Sequence, residues 1–252
     1  LSGIQCHLLL EQVELRRRAA AKFTRAAQML FSPRLLEQAT DEWISRYKAQ
    51  RFAGLTSVAD LCCGAGGDLI GLAERCQATA FDKCDIATRC ASHNSAVYQT
   101  SDGPEPQVIK RDVKAIDLAK FAAWQMDPDR RPQGRRTTRV ELHEPTLAAM
   151  VQMLKKQPNA AIKLAPGSDL PTSEDWNSET EFEWIMSATG GVARFAGRKD
   201  WSATGDEHLA NGCRIVCGPT RYAAGDCRNC RTIFIRARSR SAGGTFDRGV
   251  GS

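Results

Sequence analysis

A chain of 252 residues that is 42% hydrophobic and 25% charged suits one sizeable globular domain with additions, and excludes a disordered or fibrous protein. No run approaches the length of a membrane span and none has a signal-peptide layout, so a cytoplasmic protein without a membrane partner is expected. The net charge of +6 is uneven: residues 1–185 balance 24 basic against 24 acidic residues, while 186–252 hold 11 against 5, so overall charge is no argument for nucleic-acid binding. Ten cysteines invite a disulfide reading. Yet Cys62, Cys63, Cys76, Cys84 and Cys90 cluster in one stretch, where small buried thiols in a reducing compartment are expected instead. The first residue is Leu1 rather than Met, which implies a missing N-terminus.

The chain opens with helical periodicity. From about Glu11 to Gln28, Val13, Leu15, Ala19, Phe23 and Ala26 recur among Arg16, Arg17, Arg18, Lys22 and Arg25. That basic face is either simply solvated or turned toward phosphates. Ser32-Pro33 reads as an N-cap followed by proline at the first helical position, and Asp41 can cap a further helix, 42–51. Gly54 ends this prelude.

Val58 to Leu72, VADLCCGAGGDLIGL, organises the rest. It reads as a short strand, a turn with Gly64, Gly66 and Gly67, and a helix beginning at Asp68. Such a turn lets backbone N–H groups approach a ligand closely. A dinucleotide fingerprint would need glycine at 69, where Leu69 stands. The spacing fits better to the acid-x-G-x-G-x-G turn of S-adenosylmethionine sites, with Asp60 as the acid and Cys62 in place of the first glycine. Asp60 and Asp68 suit the cofactor's ammonium end. The next strand, 77–81, ends at Asp82, which suits two ribose hydroxyls, with Lys83 beside it.

A helix over 86–98 and a third strand over 107–110 follow. Asp112, just beyond that strand, can accept from an adenine amino group while Val113 covers the ring. A helix over 117–121 leads to the fourth strand, 122–126, and then to Asp127-Pro-Asp-Arg-Arg131. Pro145 is expected to open another helix, through about Gln157, before a fifth strand over 160–164 and a sixth over 182–185. Alternating strands and helices predict an α/β, doubly wound, parallel sheet of Rossmann-like type with an N-terminal helical extension. Its chemistry belongs at the strands' carboxyl ends, where Asp60, Asp82, Asp112 and Asp127 fall.

Methyl transfer is an in-line displacement, so positioning and desolvating the nucleophile is most of the task. Asp127 and the carbonyl of Pro128 could accept the two N–H groups of an exocyclic amine, leaving its lone pair aimed at a methyl donor. The amine-methylating signature Asp/Asn-Pro-Pro-aromatic is altered here at two positions, by Asp129 and Arg130. Arg130, Arg131, Arg135, Arg136 and Arg139 crowd one loop, which points to phosphate or carboxylate recognition or to a solvated, internally paired loop. His143-Glu144 suggests an acid/base pair, but capping or a surface role fits its place before a helix better.

These residues resemble a bacterial family of class I S-adenosylmethionine-dependent methyltransferases with a THUMP-like C-terminal domain, more distantly similar to trimethylguanosine synthase. The resemblance rests on Lys22-Phe23, Leu36–Thr40, Tyr47–Phe52, Asp60–Asp68, Asp127–Arg131 and Lys163–Gly167, and runs from about 15 to 185. It implies S-adenosylmethionine as cofactor, an RNA substrate with a guanine amine as candidate, and Lys22, Phe23 and the loop arginines toward that substrate. Residues 1–53 then form a helical lid and 54–186 the cofactor-binding core. Residues 187–252, rich in Gly, Ala, Arg, Ser and Cys, form an atypical tail, expected to be disordered or the product of a reading-frame error. Cys213, Cys217, Cys227 and Cys230 have loose zinc-like spacing, but no metal site is expected. No obligate protein partner is evident. Two readings stay open beside RNA methylation: methylation of a small molecule or protein, and a non-catalytic cofactor- or RNA-binding module.

Overall fold

The computed structural model describes residues 2–100, 103–131 and 137–164, together with the backbone of strands at 181–188, 191–197, 214–217 and 232–237. The first helix starts earlier than its periodicity suggests. Ser2 Oγ accepts from Gln5 N and the Gln5 side chain accepts from Ser2 N, a capping box that launches α1 (Gly3–Ala19). It also ends earlier. Beyond Ala19 the chain folds back so that Phe23 stacks on Phe31, and Arg16 Nε donates to the Met29 carbonyl at 2.8 Å. Only a short 3-10 turn, Ala26–Gln28, follows. Tertiary burial of Phe23, Ala26 and Met29 outweighs the helical periodicity here.

The two expected caps are present. Ser32 Oγ accepts from Leu35 N to start α2 (Pro33–Gln38), and Asp41 accepts from Trp43 N and Ile44 N to start α3 (Glu42–Ala49). Strand β1 (Ser57–Leu61), helix α4 (Gly67–Ala73), strand β2 (Gln77–Asp82), helix α5 (Asp85–Tyr98) and strand β3 (Gln107–Lys110) then alternate as expected. Leu118–Lys120 makes a 3-10 turn before β4 (Ala123–Met126). Thr146, not Pro145, starts α6 (Leu147–Lys156): its Oγ1 accepts from Ala149 N, while Pro145 lies outside the helix after a cis peptide bond. Strand β5 (Ala160–Leu164) completes the core.

The five strands β1 to β5 run parallel in the order β3-β2-β1-β4-β5. Strands β6 (Glu181–Ala188), β7 (Gly191–Gly197), β8 (Arg214–Cys217) and β9 (Thr232–Ala237) extend the sheet antiparallel beyond β5, with β9 paired directly to it. Most of these strands fall in the segment read from composition as an atypical tail. The rest of that segment lies outside the described residues, as do Cys213, Cys227 and Cys230.

Order reverses between β1 and β4, which opens a crevice at their carboxyl ends. Strands β1, β4 and β5 are buried almost throughout, as central parallel strands must be. One core layer sets Trp124, Met126 and Ile162 against α6; another sets Val58, Ala78 and Ala161 against α3 and α4.

The helical prelude is welded to this core through Glu42, which is fully buried. Its carboxylate accepts from Tyr98 Oη at 2.6 Å, Thr24 N at 2.7 Å, Thr24 Oγ1 and Arg46. Burial alone would raise this carboxyl, but the donors from Tyr98 and Thr24 outweigh it and hold the group below its ordinary value.

Candidate active site

A cavity of about 930 Å³ opens at the carboxyl ends of β1, β2 and β4, roofed by α2 and the segment leading into α3. It collects Cys62, Gly64, Gly67, Asp68, Asp82, Lys83, Asp112, Val113, Asp127, Pro128, Arg130 and Arg131 from the residues that the sequence singles out. Its size is at the upper end for a small-molecule site.

The turn after β1 is built from left-handed backbone. Gly64 has φ 55° and a Cβ there would meet only Leu35 Cδ2, at 3.9 Å, so the turn is open on the cavity side. Cys62, standing where the motif has glycine, takes φ 61°, a conformation that costs a side chain about 1 kcal/mol or more. Burial pushes the Cys62 and Cys63 thiols well above their ordinary range, so neither serves as a thiolate. Gly66 caps α4 at φ 80° against Ala91 and does not reach the cavity, and Gly67 is pressed against the backbone of Thr40. The glycines therefore divide: Gly64 is open to the ligand space, Gly66 permits close packing, and Gly67 does both, lining the cavity while packing on Thr40.

Asp82 ties β2 to this turn, accepting from Gly64 N at 3.0 Å and from Cys84 N at 2.9 Å. Lys83 reaches Glu144 at 2.6 Å, and Asp112 accepts from Lys114 N as Val113 buries its side chain. Asp60 is buried behind the turn rather than in the cavity wall. Gln125 donates to its Oδ1, its Oδ2 has no partner among the described residues, and burial, with the nearby Asp68 carboxylate second, lifts its pKa to about 8. Asp68 is paired with Lys48 at 2.5 Å and accepts from Thr40 Oγ1, while its Oδ1 is buried without a partner among the described residues.

At the acceptor edge, Asp127 pairs with Lys163 from β5, and Lys163 also donates to Thr40 Oγ1 at 3.0 Å. Asp129, in place of a second proline, is held by Arg34 Nη2 at 2.6 Å and Gln38 Nε2 at 3.1 Å, which anchors α2 over the site. Arg131 pairs with Glu37 of α2 at 2.7 Å, whereas Arg135 and Arg136 lie outside the described residues. Lys22 lines the cavity but its ammonium is spent on the carbonyls of Leu36, Glu37 and Ala39. Phe23 is core, packed on Phe31, and does not line the cavity. Arg25 likewise donates to Val97 and covers the Tyr98 ring, so much of the expected basic face is structural.

His143 is not a surface group; its backbone closes the 3-10 turn Val140–Leu142, the N–H donating to the Val140 carbonyl. It is buried outside the cavity wall, its Nε2 3.3 Å from the Thr137 carbonyl, and burial lowers its pKa. Among the described residues no cluster of three or more His, Cys, Asp or Glu could hold a metal, and no helix is long and apolar enough to cross a membrane.

Lys48, Thr40 and Lys163 were not singled out as site residues by sequence reasoning. A lysine inside the otherwise apolar run Ala160–Leu164 is the one local signal, because a charge in a central strand must find a partner.

The open turn at Gly64, the carboxylate of Asp82 and the cavity-lining Asp68, whose Oδ1 has no partner among the described residues, fit an amino acid, a ribose and a cation. The fold is that of a Rossmann-like methyltransferase, and the residues of the site fit S-adenosylmethionine as a ligand. The family model described as RNA cap guanine-N2 methyltransferase matches residues 55–126. Two uncharacterized S-adenosylmethionine-dependent methyltransferases of Mycobacterium tuberculosis, from strains CDC 1551 and H37Rv, are each 31% identical over 197 residues. The match covers 75% of this chain and 53% of theirs, so the chain spans about half the length of the curated relatives it matches. A methyltransferase crystal structure from Porphyromonas gingivalis W83 has the same fold, with a TM-score of 0.53 and 23% identity over 63% of this chain and 41% of that one.

Proposed function

We propose that the protein transfers the methyl group of S-adenosylmethionine to an exocyclic amine of an RNA nucleotide, with a guanine amine as the acceptor. The observation that carries this is Asp127-Pro128 at the end of β4, opening into the same cavity as Gly64 and Asp82. The family model matched by residues 55–126 supports RNA and a guanine amine. When bound, the cofactor supplies an electrophilic methyl group on a sulfonium.

The chain's own residues then have separate tasks. Asp82 holds the ribose and Asp68 Oδ1 the ammonium, each taking over hydrogen bonds that water would otherwise make. Asp112 and Val113 hold the adenine. Asp127 and the Pro128 carbonyl accept the two amine N–H groups and fix the lone pair in line, and Asp127 stabilises the positive charge that forms on nitrogen as the methyl arrives. Arg130 offers a guanidinium plane to a base in place of the aromatic.

A second reading has its own support. Among the described residues no aromatic side chain lines the cavity, and Arg131 and Arg34 are already paired with Glu37 and Asp129. A small-molecule or protein acceptor is compatible with both facts.

Transfer of labelled methyl into deproteinised, undermethylated total RNA, with DNA in parallel, separates these readings. Label in RNA alone, lost in Asp127→Ala while cofactor binding persists, supports the proposal. Asp82→Ala should instead weaken cofactor binding. Tight cofactor binding without incorporation into RNA would overturn the RNA reading.

A further inference from the structure

Five side chains form one continuous polar chain, four of them buried beneath the cavity and the fifth, Asp127, lining it. Lys48 donates to Asp68; Thr40 Oγ1 donates to the same Asp68 oxygen at 3.2 Å and accepts from Lys163 at 3.0 Å; Lys163 donates onward to Asp127 Oδ2. The hydrogen-bond polarity is consistent throughout: both lysines give, both acids accept, and the threonine hydroxyl passes one bond on. Lys163 and Thr40 are both buried, so this geometry is locked by packing rather than by chance encounter of surface chains. Among the described residues, Lys163 engages Asp127 through Oδ2, and no hydrogen bond is made to Oδ1 of this cavity-lining carboxylate.

We propose that Lys163 is a positioning residue: it fixes Asp127 through Oδ2, presents Oδ1 to the acceptor, and balances the Asp127 charge at the edge where sulfonium and acceptor meet. This rests on the reading of Asp127 as the acceptor-holding group. An unbalanced carboxylate there would bind the sulfonium in the ground state and relax as methyl transfer discharges it, raising the barrier. Lys48, paired with Asp68, also acts on Asp127 through space, and the buried Asp60 lies close enough to feel it.

The test needs no acceptor. S-adenosylmethionine and S-adenosylhomocysteine differ by the methyl group and its positive charge, so the ratio of their dissociation constants reads the charge balance directly. Calorimetric titration of the full chain with both ligands should show Lys163→Met favouring S-adenosylmethionine over S-adenosylhomocysteine by roughly tenfold relative to the unaltered protein. Asp127→Asn should shift the ratio the other way, and Lys163→Arg should leave it within about threefold. Should Lys163→Met fail to fold, the opposite shift in Asp127→Asn still decides. An unchanged ratio in either variant, or equal loss of both ligands in Lys163→Met and Lys163→Arg, overturns the proposal. Failure of the unaltered protein to methylate RNA removes the RNA reading but leaves this ratio measurable.

Discussion

The carbonyl oxygen of Thr40 lies 2.4 Å from where a Cβ on Gly67 would sit. The helical prelude therefore packs backbone to backbone on the first turn of α4, directly behind the cofactor-facing turn, and a Cβ on Gly71 would likewise come within 2.5 Å of Ser45 Oγ. Gly67→Ala has no soft side chain to displace. It should cost about 1–3 kcal/mol of stability by overpacking and weaken S-adenosylhomocysteine binding, because Thr40 must move and it holds both Asp68 and Lys163. Thermal denaturation with and without ligand reads both effects, and wild-type stability would contradict the packing argument.

Glu42 sets an acid limit on the fold. Its carboxyl titrates below the unfolded value, so the stability it contributes is present above about pH 4.5 and is lost as pH falls through the lower folded value. Glu42→Gln should lower stability at pH 7 by about 2–4 kcal/mol, since Tyr98, Thr24 and Arg46 lose an ionic acceptor. The same variant should show a flatter fall in stability between pH 5 and 3. Parallel acid-unfolding curves for the two proteins would contradict the assignment.

Asp60 works in the opposite sense. A carboxyl raised to about 8 costs nothing below the unfolded value near 3.8 and destabilises the fold increasingly as pH rises toward 8. Asp60→Asn should therefore stabilise the ligand-free protein at pH 8 by about 1–3 kcal/mol and leave it nearly unchanged at pH 4. A variant that is less stable at pH 8 would contradict the burial argument.

Cys62 tests the strained turn. Cys62→Gly should keep or raise stability by up to about 1 kcal/mol, because glycine takes φ 61° without cost. Cys62→Val should lose about 2 kcal/mol, since a β-branched side chain is poorest in that region. Chemical denaturation of the pair checks the ordering, and a valine variant as stable as the glycine variant would contradict it.

Much of this architecture was legible locally. The strand, the turn at Gly64 and the acid at Asp82 follow one another within 26 residues of β1 to β2, and each is encoded by spacing that a short window contains. The placement of Asp127-Pro128 after β4 was equally readable, since a parallel sheet delivers its loops to one edge. The caps at Ser32 and Asp41 were plain for the same reason.

What the sequence alone could not settle is which charges meet. Lys163 and Thr40 are 123 residues apart, and only the order β1-β4-β5, with the prelude folded against Gly67, brings them together. The resemblance turned Lys22 and Phe23 toward a substrate, and residue type put Arg25 on a basic face, yet they are consumed by three carbonyls, by Phe31 and by Tyr98. Periodicity reports how often an apolar residue recurs, but whether a cation faces water, a carbonyl or a buried acid depends on what packs across from it. That is decided by tertiary burial, where an unpaired charge is too costly to leave and each one must find its partner.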